Sequence, residues 1–179
     1  PQEYIEKFGT TIIPQYYSFG DTVYGDELNM APAEFYERMK NGELPLSQAN
    51  NPAVIEDKFR AILNKGGNII HVAFSSALSG SYNNVCMVVN ELTEEYPDAK
   101  ITVIDSLNVS LAESILVIKA NEMKANGASY EEVVEKLEDM KNHLNVWFTV
   151  DDLFHLQRGG RVSKAVAVVG SALNLKPFL

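Results

Sequence analysis

One stretch constrains the fold of this chain more than any other: an apolar run, then four serines around one glycine, then a helical pattern. The apolar run, residues 70–74, has four apolar residues, three of them β-branched or aromatic. This composition favours a strand buried on both faces, as in a parallel sheet. Beyond the serines, apolar residues are spaced as on one face of a helix: Val85, Val88, Val89, Leu92 and Tyr96. The serines are therefore predicted to lie where a strand ends and a helix begins, which is where open α/β sheets bind ligands.

The residue types in this turn suit a small anion. Ser75, Ser76, Ser79 and Ser81 surround Gly80. A helix start leaves backbone N–H groups unpaired and carries about half a positive charge, hydroxyls add donors, and glycine leaves room for close approach. The alternative is that Ser79 or Ser81 only caps the helix, which is the commonest role of a serine at that place. Both interpretations stay open on the local sequence.

The net charge of the chain and the length of its apolar runs exclude some classes of binding partner. The 179-residue chain has 15 Lys and Arg against 24 Asp and Glu, a net charge of -9. Nucleic-acid backbones and anionic bilayers both require clustered Lys and Arg, so neither is an expected partner. No apolar run approaches the roughly 20 residues of a membrane span. The chain is therefore expected to be cytoplasmic, without stable membrane insertion, and its single cysteine, Cys86, is expected to be a packed residue in a helix.

The rest of the chain alternates strands with helices. Strands are predicted over residues 10–17, interrupted by Pro14, and over 70–74, 100–104 and 145–150; residues 21–26 and 44–50 are predicted to be a turn and a loop. Start and stop signals predict the helices. They cover 2–8, 32–42, 52–65, 81–96, 107–126, 130–144, a turn through 156, and 165–173. This order predicts an open, mainly parallel α/β sheet with helices on both faces.

Several kinds of site lack their fingerprints. The sequence has no G-x-x-x-x-G-K-[ST], G-x-G-x-x-G or H-E-x-x-H. His71, His143 and His155 lack metal-ligand spacing, and His71, inside a buried strand, is predicted to be a core histidine. No metal or other cofactor is expected. A hydrolase nucleophile at Ser79 would need G-x-S-x-G, but Ala77 occupies the first glycine position. A hydrolase or a sugar-phosphate-binding enzyme that uses this loop remains the alternative to a binding protein.

Two charged features follow the last predicted strand. Asp151-Asp152 is either a pair of acids or, as is commoner for such a doublet, a helix cap. Arg161 follows Gly159-Gly160 and is the better functional candidate. A guanidinium binds a carboxylate through two hydrogen bonds, and the two glycines let the backbone approach a partner closely. The alternative is a solvent-exposed turn.

Three separated stretches together resemble the DegV family of bacterial fatty-acid-binding proteins. In order, they are Leu46-Ser47-Gln48 before Asn51-Pro52, the segment 75–82, and the segment 156–163 leading to Leu175-Lys176-Pro177. Each alone is a weak signal, but the ordered set is specific. The resemblance implies two α/β domains that hold one long-chain fatty acid between them. It also implies a non-catalytic carrier that presents the acyl chain to a separate fatty acid kinase.

The resemblance also implies the roles of individual residues. Hydroxyls of a Thr-Ser-Gln loop and of the serine loop bind the carboxylate in the family, so Ser47 and Ser79 are the expected carboxylate-binding residues. The supporting residues are Ser75, Ser76, Gly80, Ser81 and Arg161. The family pattern has threonine where this chain has Leu46, so the first hydroxyl has to come from Ser47.

The chain also departs from the family pattern at its ends. Family members begin with a strand that ends in an Asp-Ser pair and continue well beyond the Lys-Pro segment. The chain is therefore expected to be a fragment that lacks the first strand, with its second domain absent or only begun. The expected division is an α/β lipid-binding domain at 1–156 and the start of an inter-domain or second-domain segment at 157–179.

Overall fold

The computed structural model describes residues 2–25, 28–150 and 152–173. Their helices and strands follow one another in this order: α1 (Gln2–Phe8), β1 (Tyr16–Phe19), β2 (Thr22–Tyr24), α2 (Pro32–Lys40), β3 (Leu46–Gln48), α3 (Pro52–Leu63), β4 (Ile69–Ala73), α4 (Ser81–Glu95), β5 (Ile101–Asp105), α5 (Ser110–Ala125), α6 (Tyr130–Met140), a 3-10 turn (Lys141–His143), α7 (Leu153–Arg158) and α8 (Lys164–Ala172). None of these helices is both long and apolar enough to cross a membrane.

A parallel pair of strands lies at the centre of the fold. The register of β4 and β5 runs from Ile69 opposite Ile101 to Ala73 opposite Asp105. Successive side chains of a strand go to opposite faces, so Ile69 packs with α3 and α4 whereas Val72 packs with α5 and α6. The predicted α/β fold, with helices on both faces of a parallel sheet, is confirmed. Because the two strands run in the same direction, the loops that follow them leave from the same edge.

A separate three-stranded sheet differs from the prediction. In it β1 is the central strand, antiparallel to β2 and to β3. The strand predicted over residues 10–17 begins only at Tyr16, because Pro14 has no N–H to donate to a neighbouring strand. The turn predicted at 21–26 and the loop at 44–50 were wrong in part, since they contain β2 and β3. Gly20, at φ 55°, forms the tight connection between β1 and β2.

The capping signals at three predicted helix starts are confirmed, whereas the helix predicted from residue 107 begins only at Ser110. Asn51 caps α3, and Ser129 and Glu132 form a reciprocal capping box at α6. The side chain of Asp152 caps α7, so the cap is the correct interpretation for this half of the acidic doublet. Its neighbour Asp151 lies outside the described residues, as do the residues 26–27 and the Lys-Pro segment.

The strand predicted over residues 145–150 is wrong. After α6 and the 3-10 turn the chain continues without a strand, and only Thr149 forms an isolated β-bridge. Trp147, which lies within the predicted strand, is 68% exposed. The reason is that β-propensity favours an extended backbone and a packed surface, whereas a strand also needs a hydrogen-bonded neighbour along its length.

Helices α7 and α8 pack against each other near the end of the described chain. Leu153 is buried against Gly170, where a side chain would collide with the leucine methyl group. The expected domain boundary between residues 156 and 157 falls inside α7. The division of the chain at that point stays a prediction.

A cavity of about 760 Å³ lies beside β4, bounded by α3, α5 and residues 8–13. His71 faces it, and its ring meets the ring of Phe59 edge-on with centroids 5.7 Å apart. Burial lowers the pKa of His71 to about 4, so this histidine is neutral at pH 7. His71 is half-buried and packs against Phe59 but lines a cavity, so the prediction of a core histidine is right only in part. Glu113 lines the same cavity, and burial raises the pKa of its carboxyl to about 7.

Candidate functional site

The serine loop, defined here as residues 75–81, joins the end of β4 to the start of α4. Ser75 is buried; its N–H donates to the carbonyl of Asn108 at 3.1 Å. The carbonyl of Ser75 accepts from the N–H groups of Leu78 and Ser79, both at 3.1 Å. Ser76 N–H donates to Oδ1 of Asp105 at 3.1 Å. Ser75 and Ser76 therefore fix the backbone of the loop at the carboxyl edge of the parallel sheet.

Ser79 and Ser81 form a short hydrogen-bond chain with Asn50. Asn50 N–H donates to Ser81 Oγ at 3.1 Å, and the two serine Oγ atoms are 2.9 Å apart. The N–H of Ser81 donates to Ser79 Oγ at 3.2 Å. Ser81 is 1% exposed, and its hydroxyl already accepts from Asn50. Its own proton is therefore best assigned to the bond with Ser79, because a buried donor without an acceptor is costly.

This assignment decides what Ser79 can still do. Ser79 Oγ accepts two hydrogen bonds, from the N–H and from the hydroxyl of Ser81, and retains one proton to donate. The helix-capping interpretation is thus partly right, since Ser79 accepts from the first N–H of α4. It is incomplete, because a hydroxyl donor remains at the start of the helix. Ser79 is only partly buried, so part of the residue is accessible from outside the loop.

The segment that follows β3 also contacts the serine loop and the start of α4. Asn84 of α4 donates its side-chain N–H to the carbonyl of Asn50 at 2.8 Å. Gly80 lies so close to Ala49 that a methyl group added at the glycine would be 3.9 Å from the alanine methyl. Ser47, two residues before Ala49, is exposed on β3. The structure thus brings the segment of Ser47 next to the serine loop.

Arg161 also contacts the serine loop, from a segment that lies after the loop in sequence. Its guanidinium donates through Nη2 to the carbonyl of Leu78 at 3.2 Å and through Nη1 to the carbonyl of Gly159. Gly160 has φ 77°, a left-handed backbone that favours glycine, and so turns the chain between α7 and α8. The described parts of the three sequence stretches therefore meet at one place, and residues 175–177 of the third lie outside the described residues.

An apolar cavity of about 1090 Å³ opens beside these polar groups. Aromatic side chains of β1 and α2 form one wall, and Phe74 and Leu78 form another. Ser47 and Arg161 also line it. Ligand-binding pockets commonly have volumes of about 300–1,000 Å³ and combine apolar walls with a few polar groups. This cavity has the size and the composition for an elongated apolar ligand with a polar end.

Three residues outside the serine loop hold this site together, and sequence reasoning missed the two asparagines among them. Asn50, Asn84 and Asp105 supply hydrogen bonds to or around the serine loop. Asp105 had a usable signal, because it ends a predicted strand of the same parallel sheet. The two asparagines had none, since their contacts join segments more than thirty positions apart in sequence.

The fold and the site define an α/β protein with a cluster of polar loops at the carboxyl edge of its parallel sheet. Residues 1–179 match the model of the family described as "Uncharacterised protein, DegV family". The chain belongs to the DegV family. A DegV domain-containing protein of Clostridium perfringens is 39% identical to it over 161 residues, which cover 89% of this chain and 55% of that protein.

Solved structures of relatives share the fold. A stearic acid-binding protein from Eubacterium ventriosum matches with a TM-score of 0.85 and 31% identity, over 99% of this chain and 61% of that one. DegV, a fatty acid binding protein from Bacillus subtilis, matches with a TM-score of 0.82 and 33% identity, over 100% of this chain and 63% of that one. The Streptococcus pneumoniae Fatty Acid Kinase (Fak) B3 protein loaded with linoleic acid matches with a TM-score of 0.77 and 29% identity, over 93% and 58%. This chain thus spans between about half and two thirds of the length of these relatives.

Proposed function

We propose that this protein binds a long-chain fatty acid non-covalently, with the carboxylate at Ser47 and Ser79 and the acyl chain in the apolar cavity. The observation that carries the proposal is the set of hydrogen bonds that joins Asn50, Ser81 and Ser79; with the Ser81 proton assigned to Ser79 as above, Ser79 keeps a proton to donate. An anionic acceptor is the partner that such a donor binds most strongly. Fatty-acid-binding relatives with the same fold support the choice of anion.

The surroundings of Ser79 favour a carboxylate. Helix α4 begins at Ser81 and directs the positive end of its dipole at the serine loop. The guanidinium of Arg161 adds a positive charge next to Leu78. Gly80 has an ordinary backbone, φ -70°, and a methyl group added to it would meet no atom closer than 3.9 Å, so neither strain nor packing within the protein requires glycine. Close approach of a ligand to the backbone accounts for the glycine.

The acyl chain supplies most of the affinity in this proposal. Each buried methylene contributes about 0.8 kcal/mol, whereas one hydrogen bond to a charged group contributes about 1.5–3 kcal/mol. The walls of the cavity are mainly apolar, with Tyr17, Phe35 and Leu78 among them. The hydroxyls therefore fix the orientation of the ligand and select for an acid, and the cavity holds its tail.

We infer a carrier rather than an enzyme. A serine nucleophile needs a base within hydrogen-bond reach, and the two hydrogen bonds described for the Ser79 hydroxyl are both with Ser81, which is not a base. The proposed partner is a fatty acid kinase that takes the acyl chain for phosphorylation, which the kinase-associated relative from Streptococcus pneumoniae supports. The bound fatty acid is the ligand, and no further cofactor is needed. Turnover of simple esters or sugar phosphates by the purified chain would favour the enzyme instead.

The direct experiment starts from protein purified under native conditions. Mass spectrometry of the extracted lipid is expected to show fatty acid in a fixed ratio to protein. The chain freed of lipid is then titrated with oleic acid and with oleyl alcohol, which share a tail and differ in the head group. We expect tighter binding of the acid. Recovery of no lipid, together with equal affinity for acid and alcohol, would contradict the proposal.

A further inference from the structure

Asp105 links the two loops at the carboxyl edge of the parallel sheet. It is the last residue of β5 and lies opposite Ala73, the last residue of β4. Its Oδ1 accepts from the N–H of Ser76 at 3.1 Å and from the N–H of Leu107 at 3.2 Å. A single carboxylate oxygen thus connects the serine loop to the loop that follows β5.

We propose that Asp105 is a positioning residue for the carboxylate end of the ligand site. It holds the serine loop in the conformation in which Ser79 directs its remaining proton at the ligand. The inference rests on the proposed function, because the ligand is the fatty acid proposed above. Asp105 does not itself bind the ligand, since the oxygen that matters here is already bonded to two N–H groups.

Hydrogen bonds from three of its backbone N–H groups restrain the serine loop. The N–H groups of Ser75 and Ser79 are bonded within the two loops, to Asn108 and to Ser75 itself. Ser76 lies between them, and its N–H is bonded to Asp105. Removing the carboxylate therefore frees the middle of the turn that leads to Ser79. A displacement of about 1 Å is enough to weaken a hydrogen bond severely, because such bonds depend on both distance and angle.

The backbone next to the serine loop is strained at Leu107. Leu107 has φ 53°, in the left-handed region that non-glycine residues seldom adopt. Its N–H bond to Asp105 is a local side-chain to backbone contact that stabilises this conformation. Strained backbone persists where surrounding contacts hold it, and it is concentrated at functional sites. The strain here lies directly beside the serine loop.

The charge state of Asp105 is consistent with this role. Burial works against the charged form, but hydrogen bonds from Ser76 and Leu107 outweigh it and hold the pKa of Asp105 below its usual value. The side chain is therefore a charged acceptor at neutral pH. Charged acceptors make stronger hydrogen bonds than neutral ones, which suits a group that has to hold two loops.

The test compares Asp105→Ala with Asp105→Asn, using oleic acid and oleyl alcohol as probes. Asparagine keeps an oxygen for both N–H groups, and alanine has none. We expect Asp105→Ala to lose roughly tenfold in affinity for the acid, the size of one hydrogen bond to a charged group. Its affinity for the alcohol should stay unchanged, and Asp105→Asn should recover most of the acid affinity. Calorimetric titration measures all four constants.

The same comparison in a second variant controls for loss of folding. Leu107→Gly removes the steric penalty of the left-handed backbone, so the Asp105→Ala comparison is repeated in that variant. Equal losses for acid and alcohol would indicate a merely structural role and overturn the inference. Asp105→Asn as weak as Asp105→Ala would overturn it too, since the retained oxygen would then be irrelevant. Equal affinity of the unaltered chain for acid and alcohol would refute the proposed function itself, which is a distinguishable result.

Discussion

Replacing Ser79 with alanine tests the hydrogen-bond chain at the proposed site. The variant removes the donor at the end of the chain from Asn50 through Ser81 and leaves the walls of the cavity in place. A hydrogen bond to a charged group contributes about 1.5–3 kcal/mol. The affinity for a fatty acid should therefore fall about 10- to 150-fold.

The same variant should also lower the stability of the ligand-free protein measurably. The N–H of Ser81 loses its acceptor at 3.2 Å, and the proton of the Ser81 hydroxyl loses its partner. Comparable losses at helix starts are about 0.5–2 kcal/mol. Thermal unfolding of the ligand-free protein measures this change separately from affinity.

The assay is calorimetric titration of lipid-free protein with oleic acid and with oleyl alcohol. Because the alcohol has no charge, its affinity should change much less than that of the acid. Ser114→Ala is the matched control: its hydroxyl bonds to the carbonyl of Ser110 on α5, away from the serine loop. The reasoning is refuted if Ser79→Ala binds the acid as tightly as the unaltered chain, or if both ligands weaken equally.

Three further changes test other parts of the site and fold. Leu46 lies on β3, is 64% exposed and occupies the position where the family pattern has threonine. Leu46→Thr should strengthen binding of oleic acid but not of oleyl alcohol in the same titration. An equal gain for both ligands would mean that the bulk of the leucine side chain obstructs the acyl tail. Gly80→Ala should alter the free energy of unfolding by less than about 1 kcal/mol, yet weaken acid binding if the ligand approaches the backbone; unchanged affinity would contradict that approach. Glu113, whose pKa is raised by burial to about 7, holds its proton more tightly in the folded chain than in the unfolded one, so its stabilisation is complete below about pH 4.3 and lost as the pH rises through 7. Glu113→Gln should therefore gain stability over the unaltered chain at pH 8 but not at pH 4, as measured by urea unfolding, and an equal difference at both values would refute the assignment.

Local signals in the sequence predicted the parallel part of the fold because the relevant contacts are periodic. The buried run that became β4 and the helical spacing of α4 both reflect burial of whole faces. Caps such as Asn51 and the pair of Ser129 and Glu132 are encoded within three residues. The antiparallel sheet was not predicted although Gly20-Asp21 between strand-forming runs is a hairpin signal, because the strand predicted over residues 10–17 spans Pro14 and ends before the hairpin.

Most residues of the site could be predicted from the sequence, but their hydrogen bonds could not. Residue types and order indicated the serine loop and Arg161, and the structure brings Arg161 to the carbonyl of Leu78 across 83 positions of sequence. The sequence could not specify which serine retains a free proton, since that depends on the burial of Ser81 and on the N–H of Asn50. Such information lies in the tertiary arrangement of donors and acceptors rather than in any motif.

The four serines of the loop differ in the atoms that make their hydrogen bonds. Ser75 and Ser76 hold the backbone of the loop through their main-chain groups, whereas the hydroxyl of Ser81 accepts from Asn50 and is assigned as the donor to Ser79. Hydrogen bonds in such a chain polarise one another, so a hydroxyl that already accepts two bonds becomes a stronger donor. A carboxylate ligand is the acceptor that gains most from a strengthened donor, because its charge is localised on two oxygens. The serines are therefore not equivalent, and Ser79 is the one that the proposed function assigns to the ligand.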